Sequence, residues 1–222
     1  MPTTHYLKPI LSFLDDLDRH NDRVWFNEHR PVYDAARNIF EQFVDDIIDE
    51  FRVTDNLAGL SAKNCIPRIY RDVRFSKDKS PYKTNMGAMI TPGGWGSSWL
   101  GYYVSIQPSG QSMVAGGLYN PNLEQLNRFR QAIDKDATKF KRIVSASGFI
   151  EQVGCIEGDR LKTAPKGYDK AHPEIEILQL KQVIAIHRFS DEDVLASGFA
   201  RDVVTRCRAL RPFLDYLTDV LN

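Results

Sequence analysis

The chain has 222 residues, 42% apolar and 11% aromatic, enough for a core that needs no metal or disulfide to hold it. Its 29 basic and 29 acidic side chains cancel, which argues against a protein that grips nucleic acid by its overall field. Cys65, Cys155 and Cys207 are scattered and form no CxxC pair. That points to free thiols in a reducing compartment rather than a disulfide framework or a zinc site. No apolar run approaches the roughly 18 residues of a membrane span, and the start shows no signal-peptide pattern, so a cytoplasmic setting without a membrane partner is expected.

Leu7, Ile10, Leu11, Leu14 and Leu17 recur at helical spacing and predict an opening amphipathic helix. Asn21 is placed to cap a short second helix through Trp25, Phe26 and His29. Pro31 suits the first turn of a third helix, which carries Ile39, Phe40, Phe43, Val44, Ile47, Ile48 and Phe51 on one face. From Cys65 the period changes. Strands are predicted over Cys65–Phe75, Met86–Ile90, Trp99–Gln107 and Met113–Gly117, with glycine-rich and Pro-Ser-Gly turns between the later ones. A helix starts at Asn120-Pro121, residues 154–174 read as an ordered loop, and Gln182–Phe189 is a fifth strand. The last helix runs from about Asp191 or Phe199 to Leu221, kinked or restarted at Pro212. Without βαβ alternation this is an α+β fold: a mostly antiparallel sheet of about five strands packed with several helices, in a single domain.

Residues 63–85 stand out. Lys63, Arg68, Arg71, Arg74, Lys77, Lys79 and Lys83 face only Asp72 and Asp78, a net charge of +5 in a neutral protein. Read as a strand, Arg68, Tyr70, Asp72 and Arg74 share one face, and Arg71 falls with Ile69, Val73 and Phe75 on the other. An arginine among apolar neighbours must find an internal carboxylate or a bound anion, because an unpaired buried charge is costly. Ser76–Asn85 then forms a loop whose lysines, hydroxyls and N–H groups can surround a phosphate or carboxylate. It lacks the glycines and the GK[ST] ending of a P-loop. The competing structural reading has these cations pairing with acids simply to fix the loop.

The pattern Arg68-x-x-Arg71-Asp72-x-Arg74-Phe75-x-x-x-Lys79-x-x-Tyr82 resembles the signature of the DUF2461 family, conserved bacterial and fungal proteins without an assigned function. Asn21–Tyr33, Gly116-Gly117-Leu118-Tyr119-x-Pro121, and the stretch from Gly158-Asp159 through Pro165-Lys166-Gly167-Tyr168 to His172-Pro173 resemble it as well. The resemblance spans roughly residues 8–220 and implies a length class and a motif, with no chemistry attached.

Gly158–Pro173 is a second polar loop, and beside the first it would complete one basic, aromatic-edged cleft. Among His5, His20, His29, His172 and His187 there is no HxH or HExxH spacing, so neither a metal nor a cofactor is expected. Cys65 lies beside the cations, which would lower its pKa unless it is a buried structural thiol. Trp95 and Trp99 flank the glycine turn, where they can stack on a ring or cover a hairpin end. The favoured function is a site for a small anionic ligand. Arg68, Arg71, Arg74, Lys79 and Lys83, with Lys166 from the second loop, would hold the anion, and Asp72, Tyr82 or His29 would handle protons. The alternatives are a nucleic-acid or nucleotide-binding module, which zero net charge disfavours, and a non-enzymatic structural or interaction domain. The sequence decides neither enzyme status nor oligomeric state.

Overall fold

A computed structural model describes residues 6–52 and 54–222; His5 lies outside that range. Helices α1 (Lys8–Arg19), α2 (Arg23–Glu28), α3 (Arg30–Phe51) and α4 (Ala62–Cys65) precede strands β1 (Met86–Ile90), β2 (Tyr102–Ile106) and β3 (Ser112–Leu118). Then come α5 (Leu123–Lys135), α6 (Thr138–Val144), α7 (Ser147–Val153), β4 (Ile156–Glu157), α8 (Ile175–Leu178), β5 (Val183–Phe189), α9 (Asp191–Leu195) and α10 (Phe199–Leu221). The strands form an antiparallel sheet in the order β1-β2-β3-β5-β4, and the fold is α+β. No helix among the described residues is long and apolar enough to cross a membrane.

The chain divides into two compact units. One takes in the chain up to Ser97, Tyr103–Val114 and Arg188–Val204; the other takes in Ser98–Tyr102, Ala115–His187 and Thr205–Asn222.

In the first unit the leucine spacing of α1 buries Ile10, Leu11, Phe13, Leu14 and Leu17, and the helix packs on α3. α3 starts as Pro31 allows and buries Phe40, Phe43, Val44, Ile47, Ile48 and Phe51. Each such side chain contributes about 1.5–3 kcal/mol on leaving water. Phe43 stacks on Phe199 at 5.6 Å. The cap of α2 is Asp22, not Asn21: its carboxylate accepts from the N–H groups of Val24 and Trp25 at 2.8 and 3.0 Å.

The second unit has its own aromatic core, with Phe140 against Phe129 at 5.5 Å and Phe149 against Phe213 at 5.9 Å. Arg130 is buried, and its guanidinium donates to the carbonyls of Leu178 and Leu180 at 2.8 and 3.2 Å. Those bonds tie the end of α8 to α5 and spare the charge from burial without a partner. α10 continues unbroken through Pro212. α9 is a separate turn before it, capped by Ser190, whose hydroxyl accepts from the Asp193 N–H at 3.1 Å.

Two expectations are corrected. The strand over Cys65–Phe75 is absent: Cys65 ends α4, and the segment keeps one isolated bridge, Tyr70 opposite Tyr82. The cause is local. The Asp72 carboxylate accepts from the Arg74 N–H at 3.3 Å, and Asp78 from the Ser80 N–H at 2.9 Å. Such side-chain bonds bend the backbone into turns and compete with a ladder. The count of five is kept by β4, a strand inside the stretch expected to be loop, where Ile156 and Glu157 pair with Ala185 and Ile184 of β5. Two residues are too few for any alternation to register.

Gly117 sits at φ +122°, and a Cβ there would lie 2.2 Å from the Val183 carbonyl oxygen. β3 and β5 can approach this closely because the side chain is missing. Gly117→Ala should therefore lose about 2–3 kcal/mol, in the range of enforced backbone strain. Thermal unfolding should show it as a fall of about 5–10 °C in Tm. An unchanged Tm would mean the strands separate here without cost.

Candidate functional site

The site grows from the closed base of the 68–83 loop. The Arg71 N–H donates to the Pro81 carbonyl at 2.9 Å and the Lys83 N–H to the Ile69 carbonyl at 2.8 Å. Asn21 pins the bridge from the side. Its amide donates to the Tyr82 carbonyl and accepts from the Tyr82 N–H, both at 3.1 Å. Tyr82 is buried, with its ring stacked 4.0 Å from Phe26 and 5.4 Å from Tyr70. Burial, with Tyr70 nearby, pushes its phenol pKa up.

Most charges of the loop are satisfied within it. Arg71 pairs with Asp78, which also accepts from the Ser80 hydroxyl at 2.6 Å. Arg74 forks onto Asp72 with its Nε at 2.9 Å and a terminal nitrogen at 2.6 Å, and lies 5.9 Å from the Phe75 ring. Lys79 donates to the Val73 carbonyl at 2.9 Å. Lys83 donates to the Arg68 carbonyl at 3.0 Å, and its ammonium lies 5.5 Å from the Trp95 ring. The guanidinium of Arg68 has no hydrogen-bond or ion-pair partner among the described residues.

Against the base of this loop lies a cavity of about 300 Å³. Arg68, Arg71, Asp72 and Lys83 line it, with Tyr33 and Arg37 from α3, Asn85 and Gly87 at β1, Trp95, and Tyr103 of β2. Several neighbours are held by bonds that set their roles. Arg37 is neutralised by Glu41 at 2.8 Å. Asn85 donates to the Tyr103 hydroxyl at 3.2 Å and to the Ser105 hydroxyl at 2.8 Å, which leaves the Tyr103 proton free to donate. The Tyr103 ring lies over Gly87, where a Cβ would sit 2.4 Å from the phenol oxygen. Gly94, at φ +70°, passes so close to α4 that a Cβ would lie 2.4 Å from the Asn64 carbonyl oxygen, and the next N–H, of Trp95, donates to that same oxygen at 2.8 Å. Trp95 is thereby fixed at the cavity edge.

With Arg37, Arg71 and Asp72 matched by Glu41, Asp78 and Arg74, the lining cations left over are Arg68 and Lys83. They repel each other: burial first, then Arg68, draws the Lys83 pKa down. Asp72 is held ionised, its pKa lowered to about 2 by its hydrogen bonds from Arg74. A carboxylate this acidic is a weak proton acceptor at neutral pH. His29 does not line the cavity. Its ring stacks 4.1 Å from Trp25, and its Nδ1 bonds the Trp25 carbonyl at 2.9 Å. Tyr82, Arg74 and Lys79 are also outside the lining.

Lys166 is exposed on the second polar loop, in the other unit, and lines neither this cavity nor one of about 630 Å³ beside Asp134, Lys141, His172 and Glu174. Beside that larger cavity the Nδ1 of His172 accepts the Glu174 N–H at 3.0 Å, so its proton sits on Nε2, 3.1 Å from Asp134. Both ring nitrogens are engaged, and the lysine pairs with Glu174 at 2.7 Å. Among the described residues no group of three or more His, Cys, Asp or Glu forms a metal cluster. Cys65 is buried and its thiol is pushed up to about 11, by burial first and Asp45 second, as a buried structural thiol should be and not as nearby cations would have it.

Of the signature residues, Arg68, Arg71 and Asp72 line this cavity, and the family described as conserved hypothetical protein, DUF2461, matches residues 9–216. The chain belongs to the DUF2461 family. No curated protein and no solved structure shows significant similarity to it. In this DUF2461 member, sequence reasoning missed Tyr33, Arg37 and Tyr103. The first two were within reach, since Arg30, Tyr33 and Arg37 follow helical spacing on α3 and form one polar stripe beside the apolar face.

Two measurements probe this electrostatics. The Asp72 pKa lies below its ordinary 3.8, so the Arg74 contact is in force above that pH and is lost as pH falls toward 2. A carboxyl titration followed by NMR should give Asp72 a midpoint near 2, and Arg74→Gln should return it toward 3.8. Equal midpoints in both proteins would remove the pair. In a thiol-labelling experiment a maleimide should modify exposed Cys155 in the folded protein and spare Cys65 and Cys207 until denaturant is added. Rapid native labelling of Cys65 would contradict its burial.

Proposed function

We propose that this protein binds a small anionic ligand, phosphate- or carboxylate-bearing, in the cavity between Arg68, Lys83 and Tyr103. The observation that carries the reading is the charge left over. Arg68 points no bond at any acid, Lys83 spends one of its three donors on a carbonyl, and both line the same cavity. A bound anion would relieve their mutual repulsion and raise the Lys83 pKa. Arg68 supplies a fork of donors, Lys83 a point charge and Tyr103 a hydroxyl proton, so three donors meet one anion from three residues. A tetrahedral phosphate, with several acceptor oxygens, uses such a set more fully than a carboxylate does.

The volume of about 300 Å³ sits at the lower end of small-ligand pockets. Arg71 contributes by position: held on Asp78, it keeps the loop base in register beside the cavity. Arg74 and Lys79, which do not line the cavity, hold the loop together through Asp72 and the Val73 carbonyl.

Calorimetric titration with inorganic phosphate and with malonate tests the reading. One of the two anions should bind, and Arg68→Ala should weaken it about tenfold or more, since a hydrogen bond to a charged group is worth about 1.5–3 kcal/mol. Lys77→Ala, a cation of the loop outside the cavity, should leave binding unchanged. Binding of neither anion, or of a short single-stranded oligonucleotide instead with steep loss in salt, would overturn the proposal.

A further inference from the structure

A second cavity, of about 290 Å³, adjoins the first within the same unit. Phe26, Arg30, Tyr33, Arg37, Arg68, Ile69 and Tyr70 line it, and four of these, Tyr33, Arg37, Arg68 and Ile69, line the first cavity too. The two spaces are therefore neighbours that have Arg68 in common. Their chemistry differs. The first collects Lys83 and the Tyr103 hydroxyl around Arg68. In the second, Arg30 and Arg37 are matched by Asp34 and Glu41 at 3.0 and 2.8 Å, and the surfaces on offer are flat. The Tyr70 ring is half exposed, 50% of its surface meeting solvent. The Arg30 guanidinium, exposed and tethered to Asp34, lies 6.0 Å from the Phe26 ring and 5.6 Å from the Tyr33 ring.

We infer that the ligand is a phosphate carrying a planar aromatic group, of the nucleoside monophosphate class, with its phosphate at Arg68 and Lys83 and its ring in the second cavity against Tyr70 and Arg30. This rests on the anion site proposed above. Three physical points support it. A ring needs no hydrogen-bond code to be held here, because every aromatic face stacks on a tyrosine ring or a guanidinium plane. Arg30 is exposed, held by Asp34 at 3.0 Å and within 6.0 Å of the Phe26 and Tyr33 rings, so its guanidinium is already fixed among aromatic groups. And a half-exposed Tyr70 is held in place at no evident gain to the core. Its backbone is fixed by the bridge to Tyr82 and its ring leans on Tyr82 at 5.4 Å, which presents the free part of the ring toward solvent at the cavity lip.

The test compares calorimetric binding of inorganic phosphate, ribose 5-phosphate and adenosine monophosphate to the full chain. Adenosine monophosphate should bind about tenfold or more tighter than ribose 5-phosphate, the stacked base making the difference. Tyr70→Ala should erase that advantage and leave inorganic phosphate and ribose 5-phosphate unaffected, and Tyr70→Phe, which keeps the ring, should restore it. If adenosine monophosphate and ribose 5-phosphate bind alike, the aromatic inference is overturned while the anion site stands. If Tyr70→Ala weakens all three ligands equally, the base does not occupy the second cavity and the inference again fails. If none of the three binds, the inference fails, and the anion site is then decided by the malonate titration.

Discussion

The constraint on which the site depends is the crowding of positive charge between Arg68 and Lys83. Five cations within a dozen residues beside Lys83 would keep a free chain open. Here two aspartates and two backbone carbonyls engage four of the six cations from Arg68 to Lys83. Asp78 takes Arg71, Asp72 takes Arg74, the Val73 carbonyl takes Lys79 and the Arg68 carbonyl takes Lys83. Each is an exposed or half-exposed contact, worth little alone in water. Together they fold the segment back so that its two ends meet, and the meeting of the ends builds the cavity wall. Arg71, Arg74 and Lys79 thus have partners within the loop, and Arg68, Arg71 and Lys83 line the cavity.

Much of the fold was legible in the sequence because it is written in periodicity. The five leucine and isoleucine positions of α1 and the long apolar face of α3 repeat at helical spacing, and every one of those named for α1 is buried. Three strands, β1, β2 and β3, and the fifth, β5, sit where alternation and turn residues put them. What failed was the reading of Cys65–Phe75. The alternation of apolar and basic residues there is real, but the Asp72 and Asp78 side chains compete for the backbone N–H groups, and that competition depends on rotamers no pattern encodes. β4 was invisible for the opposite reason: its two residues pair only because β5 is beside them.

The site was legible in part. Arg68, Arg71, Asp72 and Lys83 stand on the cavity wall as a short sequence motif would suggest. Tyr82 and His29 turned out to be packed into aromatic stacks, where the identity of a titratable side chain says nothing about whether it meets solvent. Tyr33, Arg37 and Tyr103 come from α3 and β2, distant in the chain, and only the fold brings them to the motif. Gly87 and Gly94 show how. Each is a place where a missing Cβ lets another group come near, Tyr103 in one case and α4 with Trp95 in the other. The cavity is shaped as much by absent side chains as by present ones.

The closed base of the loop has a consequence for how this protein can change over time. Tyr70, Tyr82 and Asn21 seal the loop below Asp72, while Phe75 at its far end is 96% exposed, with the Arg74 guanidinium 5.9 Å from its ring. A seal of this kind separates a tip from its root. Lengthening a closed loop costs only slowly growing entropy, about 0.6 kcal/mol for each doubling. The short stretch of Ser76 and Lys77, between the paired residues Arg74 and Asp78, can therefore lengthen or change while the cavity at the root keeps its dimensions, so that one cavity can be carried unchanged beneath different outer surfaces.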